Sequence, residues 1–191
     1  MKHLTLLTLL ATAATASAAS TLSGPNVNAP SYNRLGLTGD FTNNSGRAVD
    51  LNFSVALGDT VFLAGQTSLY GRADGIDSTA TGVGIGFRFQ PTQSSTLHVE
   101  LGAAHLQYGN AIGIEAGFVG LGYRIRLAPS VEIDTGFRKF IADGPLSVDQ
   151  ASLSVSALFF LASSFSLDLN LGKDFQGDKS TRYGLGLTYH Y

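Results

Sequence analysis

The chain has 191 residues, a formal net charge of -2, no cysteine and no tryptophan. Only 14% of its residues are charged, against about 25% in an average soluble domain, so few groups are available to solvate a surface. These numbers exclude a disulfide framework and a nucleic-acid partner, and no cofactor is implied.

The N-terminus comes first. Lys2 and His3 precede the apolar run 4–11, and a small-residue stretch ends Ala16-Ser17-Ala18. This predicts a secretory signal peptide over residues 1–18, cleaved after Ala18. The run is too short to span a bilayer as a helix, which takes roughly 20 apolar residues. No cysteine follows the cleavage point, so no lipoprotein anchor is expected. Residues 19–30, A-S-T-L-S-G-P-N-V-N-A-P, are dense in turn formers and read as a short lead-in to the fold.

From residue 31 to 191 one theme repeats, with apolar residues at every second position, broken by turns. The predicted strands are 32–42, 47–57, 61–71, 79–90, 95–108, 112–127, 131–141, 149–161, 164–175 and 181–191. Tight connections (58–60, 91–94, 128–130, 162–163) alternate with mostly longer ones (43–46, 72–78, 109–111, 142–148, 176–180). The fold class is therefore all-β, an antiparallel up-and-down barrel of ten strands, eight being the alternative count. A soluble two-sheet sandwich explains the alternation but not the shortage of charge. An even strand count brings both chain ends to one rim.

The two faces separate by residue parity. Leu35, Leu37, Phe41, Leu51, Phe53, Ile85, Phe87, Leu121, Tyr123, Leu153, Phe165 and Leu169 are odd-numbered and predicted to face lipid. Aromatics collect near both strand ends, as girdles do. The third strand is undecided, because Val61, Leu63 and Leu69 compete with Phe62 and Tyr70. The even face holds the charge: Arg34, Arg88, Arg124, Arg126, Arg138 and Arg182 against Asp40, Asp50, Glu100, Glu132, Asp134, Asp168 and Asp174. Guanidinium matches carboxylate geometry well, so these residues predict a paired network filling the lumen. Inward glycines, Gly84, Gly86, Gly122, Gly184 and Gly186 among them, work against complete filling. Pairing across the turn 128–130 sets Leu127 opposite Val131, Arg126 opposite Glu132 and Arg124 opposite Asp134. Lys139 and Lys173 break the parity rule near one rim, where a lysine either snorkels to water or meets lipopolysaccharide phosphate.

No catalytic role is expected. His98 and His190 fall on the lumen face. His105 has no partner that spacing can name, and neither a G-x-S-x-G, an H-E-x-x-H nor a metal-ligand cluster is present.

The final stretch, T-R-Y-G-L-G-L-T-Y-H-Y, puts Tyr183, Leu185, Leu187, Tyr189 and Tyr191 on one face. It resembles the C-terminal signature strand of bacterial outer-membrane β-barrels, with Tyr191 where that strand more often ends in Phe. The chain as a whole is similar to the small single-chain barrels of Gram-negative bacteria, the OmpA-like and porin-like group. The resemblance implies an outer-membrane location, with the lead-in and tight turns in the periplasm. It also implies a monomer surrounded by outer-membrane lipid and lipopolysaccharide, and a terminal strand read by the barrel-insertion machinery. The function expected is structural or surface-interacting around a largely filled lumen; the alternative is a small passive pore.

Overall fold

The computed structural model describes residues 30–43, 46–71, 78–108, 112–142, 149–175 and 179–191. The predicted signal peptide and residues 19–29 of the lead-in lie outside this set. Ten strands form one closed antiparallel barrel. They are β1 (Arg34–Thr42), β2 (Arg47–Ala56), β3 (Val61–Gly71), β4 (Ser78–Thr92), β5 (Ser95–Tyr108), β6 (Ile112–Ala128), β7 (Val131–Ile141), β8 (Asp149–Ala162), β9 (Phe165–Asp174) and β10 (Thr181–His190). Each strand pairs with its neighbour in sequence, and β1 closes the barrel on β10.

Asn33, Tyr191 and the tight turns share one rim, here called the lower one; the opposite rim is the upper one. The strands are steeply tilted. The row of cross-strand partners starting at Glu115 passes through His105, Thr81, Thr67, Leu51, Leu37, Leu187, Leu167, Phe159 and Val131. It returns to β6 at Ala128, near the opposite end of the strand. Closure of a small barrel requires such stagger, with strands inclined by roughly 35 to 45°. The β1–β10 seam is pinned at both ends. At the top, Asn43 N–H donates to the Thr181 carbonyl at 3.1 Å while Thr181 N–H donates to Asn43 Oδ1 at 3.0 Å. At the bottom, Tyr191 N–H donates to the Asn33 carbonyl at 3.1 Å.

Parity holds around most of the wall, odd-numbered Val55 being buried. Leu37, Phe41, Phe87, Phe89, Leu121, Leu169, Leu185 and Leu187 are exposed on the outside, whereas Thr38, Glu100, Arg124, Asp168 and Thr188 are buried inside. The outside of the wall thus carries an exposed apolar belt. β3 obeys the same rule: Leu69 is outside and Phe62 is buried inside.

Three expectations are corrected. Tyr32 does not begin the first strand; the wall starts at Arg34 and Tyr32 turns into the barrel. Leu127 does not sit opposite Val131, because a bulge between Arg126 and Ala128 puts Ala128 there; the partners Arg126–Glu132 and Arg124–Asp134 form as expected. Several inward glycines, Gly86, Gly122 and Gly184 among them, do not leave open gaps, because neighbouring side chains lie over them, whereas Gly120, Gly136 and Gly172 line the open part of the lumen. A Cβ on Gly86 would enter the Phe62 ring, one on Gly122 the His98 ring, and one on Gly184 the Asp40 carboxylate. These glycines let bulky cross-strand neighbours lie flat, which explains why a bulky Phe62 faces inward. Gly86→Ala is expected to cost about 1 to 3 kcal/mol through overpacking. Urea titration of the folded barrel, followed by its gel mobility, reads that loss.

Candidate functional site: the lumen

The lower lumen is built around the chain just before β1. Tyr32 is 2% exposed. The Arg124 and Arg88 guanidiniums lie 4.4 and 4.8 Å over its ring, and Phe62 packs on it at 4.6 Å. Its hydroxyl is 3.0 Å from His98 Nδ1, and its carbonyl accepts from Ser54 Oγ at 2.6 Å. Arg124 Nη1 donates to the Ser31 carbonyl at 2.8 Å, and Ala56 N–H donates to Asn33 Oδ1 at 2.7 Å. Guanidinium over an aromatic face adds roughly 0.5 to 2 kcal/mol per contact, so this segment is fastened as a floor. Beside it, Arg126 lies 4.2 Å over the Phe160 ring and bonds Glu132 at 3.1 Å.

The predicted charge network exists, but much of it crosses the lumen instead of running along neighbouring strands. Asp134 Oδ2 accepts from Arg124 Nε at 2.8 Å, its neighbour, and from Arg34 Nη1 at 3.1 Å, on β1. Higher up, Arg138 of β7 donates to Glu100 Oε2 of β5 at 2.7 Å and, through its other nitrogen, to Gln66 of β3. Arg182 Nη2 reaches Asp174 Oδ1 and Arg182 Nη1 reaches the Tyr70 hydroxyl, each at 3.5 Å. Asp168 accepts from Ser166 Oγ at 2.7 Å and from Thr188 Oγ1. Arg88 departs from the pattern, because it donates to the backbone carbonyls of Asp59 and Gly58 at 2.7 and 2.6 Å, tying down the lower turn. Tyr32 and Gln66 are parts of this network that the sequence pattern passed over, one before the strand and one uncharged.

Above the floor a cavity of about 820 Å³ extends from Arg34, Arg124 and Asp134 at its base to Tyr70, Tyr108 and Ser180 near the upper rim. On the outer wall, Lys173 Nζ donates to the Lys179 carbonyl at 3.0 Å and to Thr181 Oγ1 at 3.2 Å, beside the upper edge of the apolar belt. Lys139 pairs across the wall with Val119 and Ala151 at a similar level. His105, also outside, bonds Glu115 through Nδ1 at 2.7 Å.

No family model matches the chain, and no curated protein matches it in sequence. Among solved structures, the NanC porin superposes with a TM-score of 0.54 at 9% identity, over 82% of this chain and 100% of that one. The KdgM porin gives a TM-score of 0.50 at 9% identity, over 83% of this chain and 99% of that one. The chain has the β-barrel fold of the outer-membrane porins. At such low identity the shared property is the fold, so the function has to come from the lumen itself.

Proposed function

We propose that this protein is a monomeric outer-membrane barrel with a structural or surface-interaction role, its lumen closed at the periplasmic end. The observation that carries this reading is the floor formed by Tyr32, Arg88, Arg124, Phe62 and His98. The exposed apolar belt and the porin-type fold support the membrane location. In this reading Tyr183, Leu185, Leu187, Tyr189 and Tyr191 serve the barrel-insertion machinery. Lys139 and Lys173 lie where lipopolysaccharide phosphates would meet the outer rim.

The role is not enzymatic. The buried group nearest to a hydrolase constellation is Ser166, which is 0% exposed, with His190 Nε2 at 3.0 Å. Its single hydroxyl proton is given to Asp168, so the serine accepts from His190 instead of handing it a proton.

Planar-bilayer recording tests the closed floor. Inserted wild-type barrels are expected to give no resolved current steps. Regular steps would favour the second reading, a small passive pore, which the cavity of about 820 Å³ above the floor specifically favours. Recovery of the protein as a soluble periplasmic species would remove both.

A further inference from the structure

The outside of the wall is not evenly bulky. On β2 to β6 the row of partners that starts at Glu115 continues through His105, Thr81 and Thr67 to Leu51. The next outward row toward the lower rim reads Gly117, Ala103, Val83, Gly65 and Phe53. Small side chains leave a trough between and along these rows. Leu51, Phe53, Thr67 and Thr81 are only half-buried there, whereas outward Leu37 and Phe41 on β1 stand exposed, so the wall is locally concave. A Cβ on Gly65 would enter the Phe53 ring, which therefore lies flat across the lower end. Midway, the Thr67 and Thr81 hydroxyls bond each other at 3.4 Å. The hollow measures about 280 Å³, below the roughly 300 to 1,000 Å³ usual for small-molecule sites, and suits one narrow apolar body.

Its upper end is charged. His105 Nδ1 lies 2.7 Å from Glu115 Oε1, and the two side chains are 48% and 80% exposed. The His105 ring rests over Gly113, which holds it against the wall. An ionised carboxylate has about four lone-pair sites, so Glu115 keeps acceptor capacity beyond His105. Glu100, Glu132 and Asp168, by contrast, are buried inside the barrel.

We propose that this trough holds one chain of a phospholipid whose headgroup carries a primary ammonium, with that ammonium donating to Glu115. The inference rests on the membrane location proposed above. Charge complementarity chooses the occupant: an exposed carboxylate repels an anionic headgroup and forms charge-assisted hydrogen bonds with an ammonium. A free amine would pair with Glu115 and leave the apolar hollow uncovered. A second copy of the chain needs about 800 Å² per partner, far more than one narrow trough presents. Lys139 and Lys173 stand on β7 and β9, beyond the trough, so lipopolysaccharide phosphate and this lipid would meet different parts of the wall.

Native mass spectrometry of the folded, full-length barrel in nonionic detergent tests this with three probes: dioleoylphosphatidylethanolamine, dioleoylphosphatidylglycerol and chain-free phosphoethanolamine. Saturable binding of one phosphatidylethanolamine is expected, with the other two roughly tenfold weaker or more. Glu115→Gln should lose roughly tenfold for phosphatidylethanolamine and leave phosphatidylglycerol no weaker. Ala103→Phe, which fills the trough, should weaken both lipids, and either variant decides the matter if the other does not fold. Absence of bound phosphatidylethanolamine on the detergent-held wild type overturns the proposal and leaves the membrane reading intact. So does phosphatidylglycerol binding as tightly as phosphatidylethanolamine, or a folded variant of either kind that binds phosphatidylethanolamine as the wild type does. A barrel that stays soluble without detergent overturns the membrane location itself, and this inference with it.

Discussion

Tyr32→Ala should open the floor of the barrel and lower its stability by about 3 to 5 kcal/mol, the range for emptying an aromatic side chain from a packed site. The ring is in contact with Phe62 and His98 and lies beneath two guanidiniums. Its removal leaves a hole bordered by Arg88 and Arg124, which repel one another once the π-face between them is gone. Bilayer recording should then show current steps that the wild type lacks, and the urea midpoint of the folded band should fall. Tyr32→Phe keeps the ring and loses only the bond to His98, so it should cost about 1 kcal/mol and stay closed. An alanine variant that is silent and as stable as the wild type would show that the chain before β1 is not the closure.

The second large effect is centred on Asp134. One of its oxygens accepts from both Arg124 and Arg34, at 2.8 and 3.1 Å, and Arg124 is itself buried. Removing one partner of a buried ion pair costs about 3 to 5 kcal/mol, mostly because the other charge is left uncompensated. Asp134→Ala strands two guanidiniums, so it should cost more than Arg124→Ala, which strands none. Arg124→Ala should in turn be far less damaging in an Asp134→Ala background than in the wild type. A double-mutant cycle by urea unfolding measures that coupling. Additive losses would mean that the two residues do not act as a pair.

Much of the wall was legible because its determinants are local. Period two assigns a side to every residue, and the turn at Pro129-Ser130 brings Arg124 against Asp134 even though a bulge displaces Leu127. The lumen was less legible for a geometric reason. Arg34 meets Asp134 from four strands away around the ring, and Arg138 meets Gln66 across the interior. Those meetings depend on barrel radius and stagger, which no single hairpin encodes. Phe62 on the third strand counted against parity only while inward positions were assumed polar, and Phe118 and Phe140 face the lumen as well. Their rings have a purpose that becomes visible once Gly86, Gly84 and Gly102 are known to lie beside Phe62 and Phe118. Tyr32 was misread because alternation does not signal where a chain leaves the sheet.

The β1–β10 seam bears on how the barrel forms and how long it lasts. It is the one ladder that joins strands distant in sequence, and all others join consecutive strands. Its closure carries the largest loop entropy and is expected to be the slow, non-local step of folding. The Arg34–Asp134 bridge and the Tyr32–His98 bond span parts of the ring that are positioned only after that step. They therefore act on the rate of opening and hardly at all on the rate of closing, as interactions absent from a transition state do. In the proposed membrane setting, an opened seam would also present two unpaired strand edges to hydrocarbon, where backbone groups find no water. The lifetime of the folded protein is thus expected to depend on the seam, held by latches that engage after the barrel has closed.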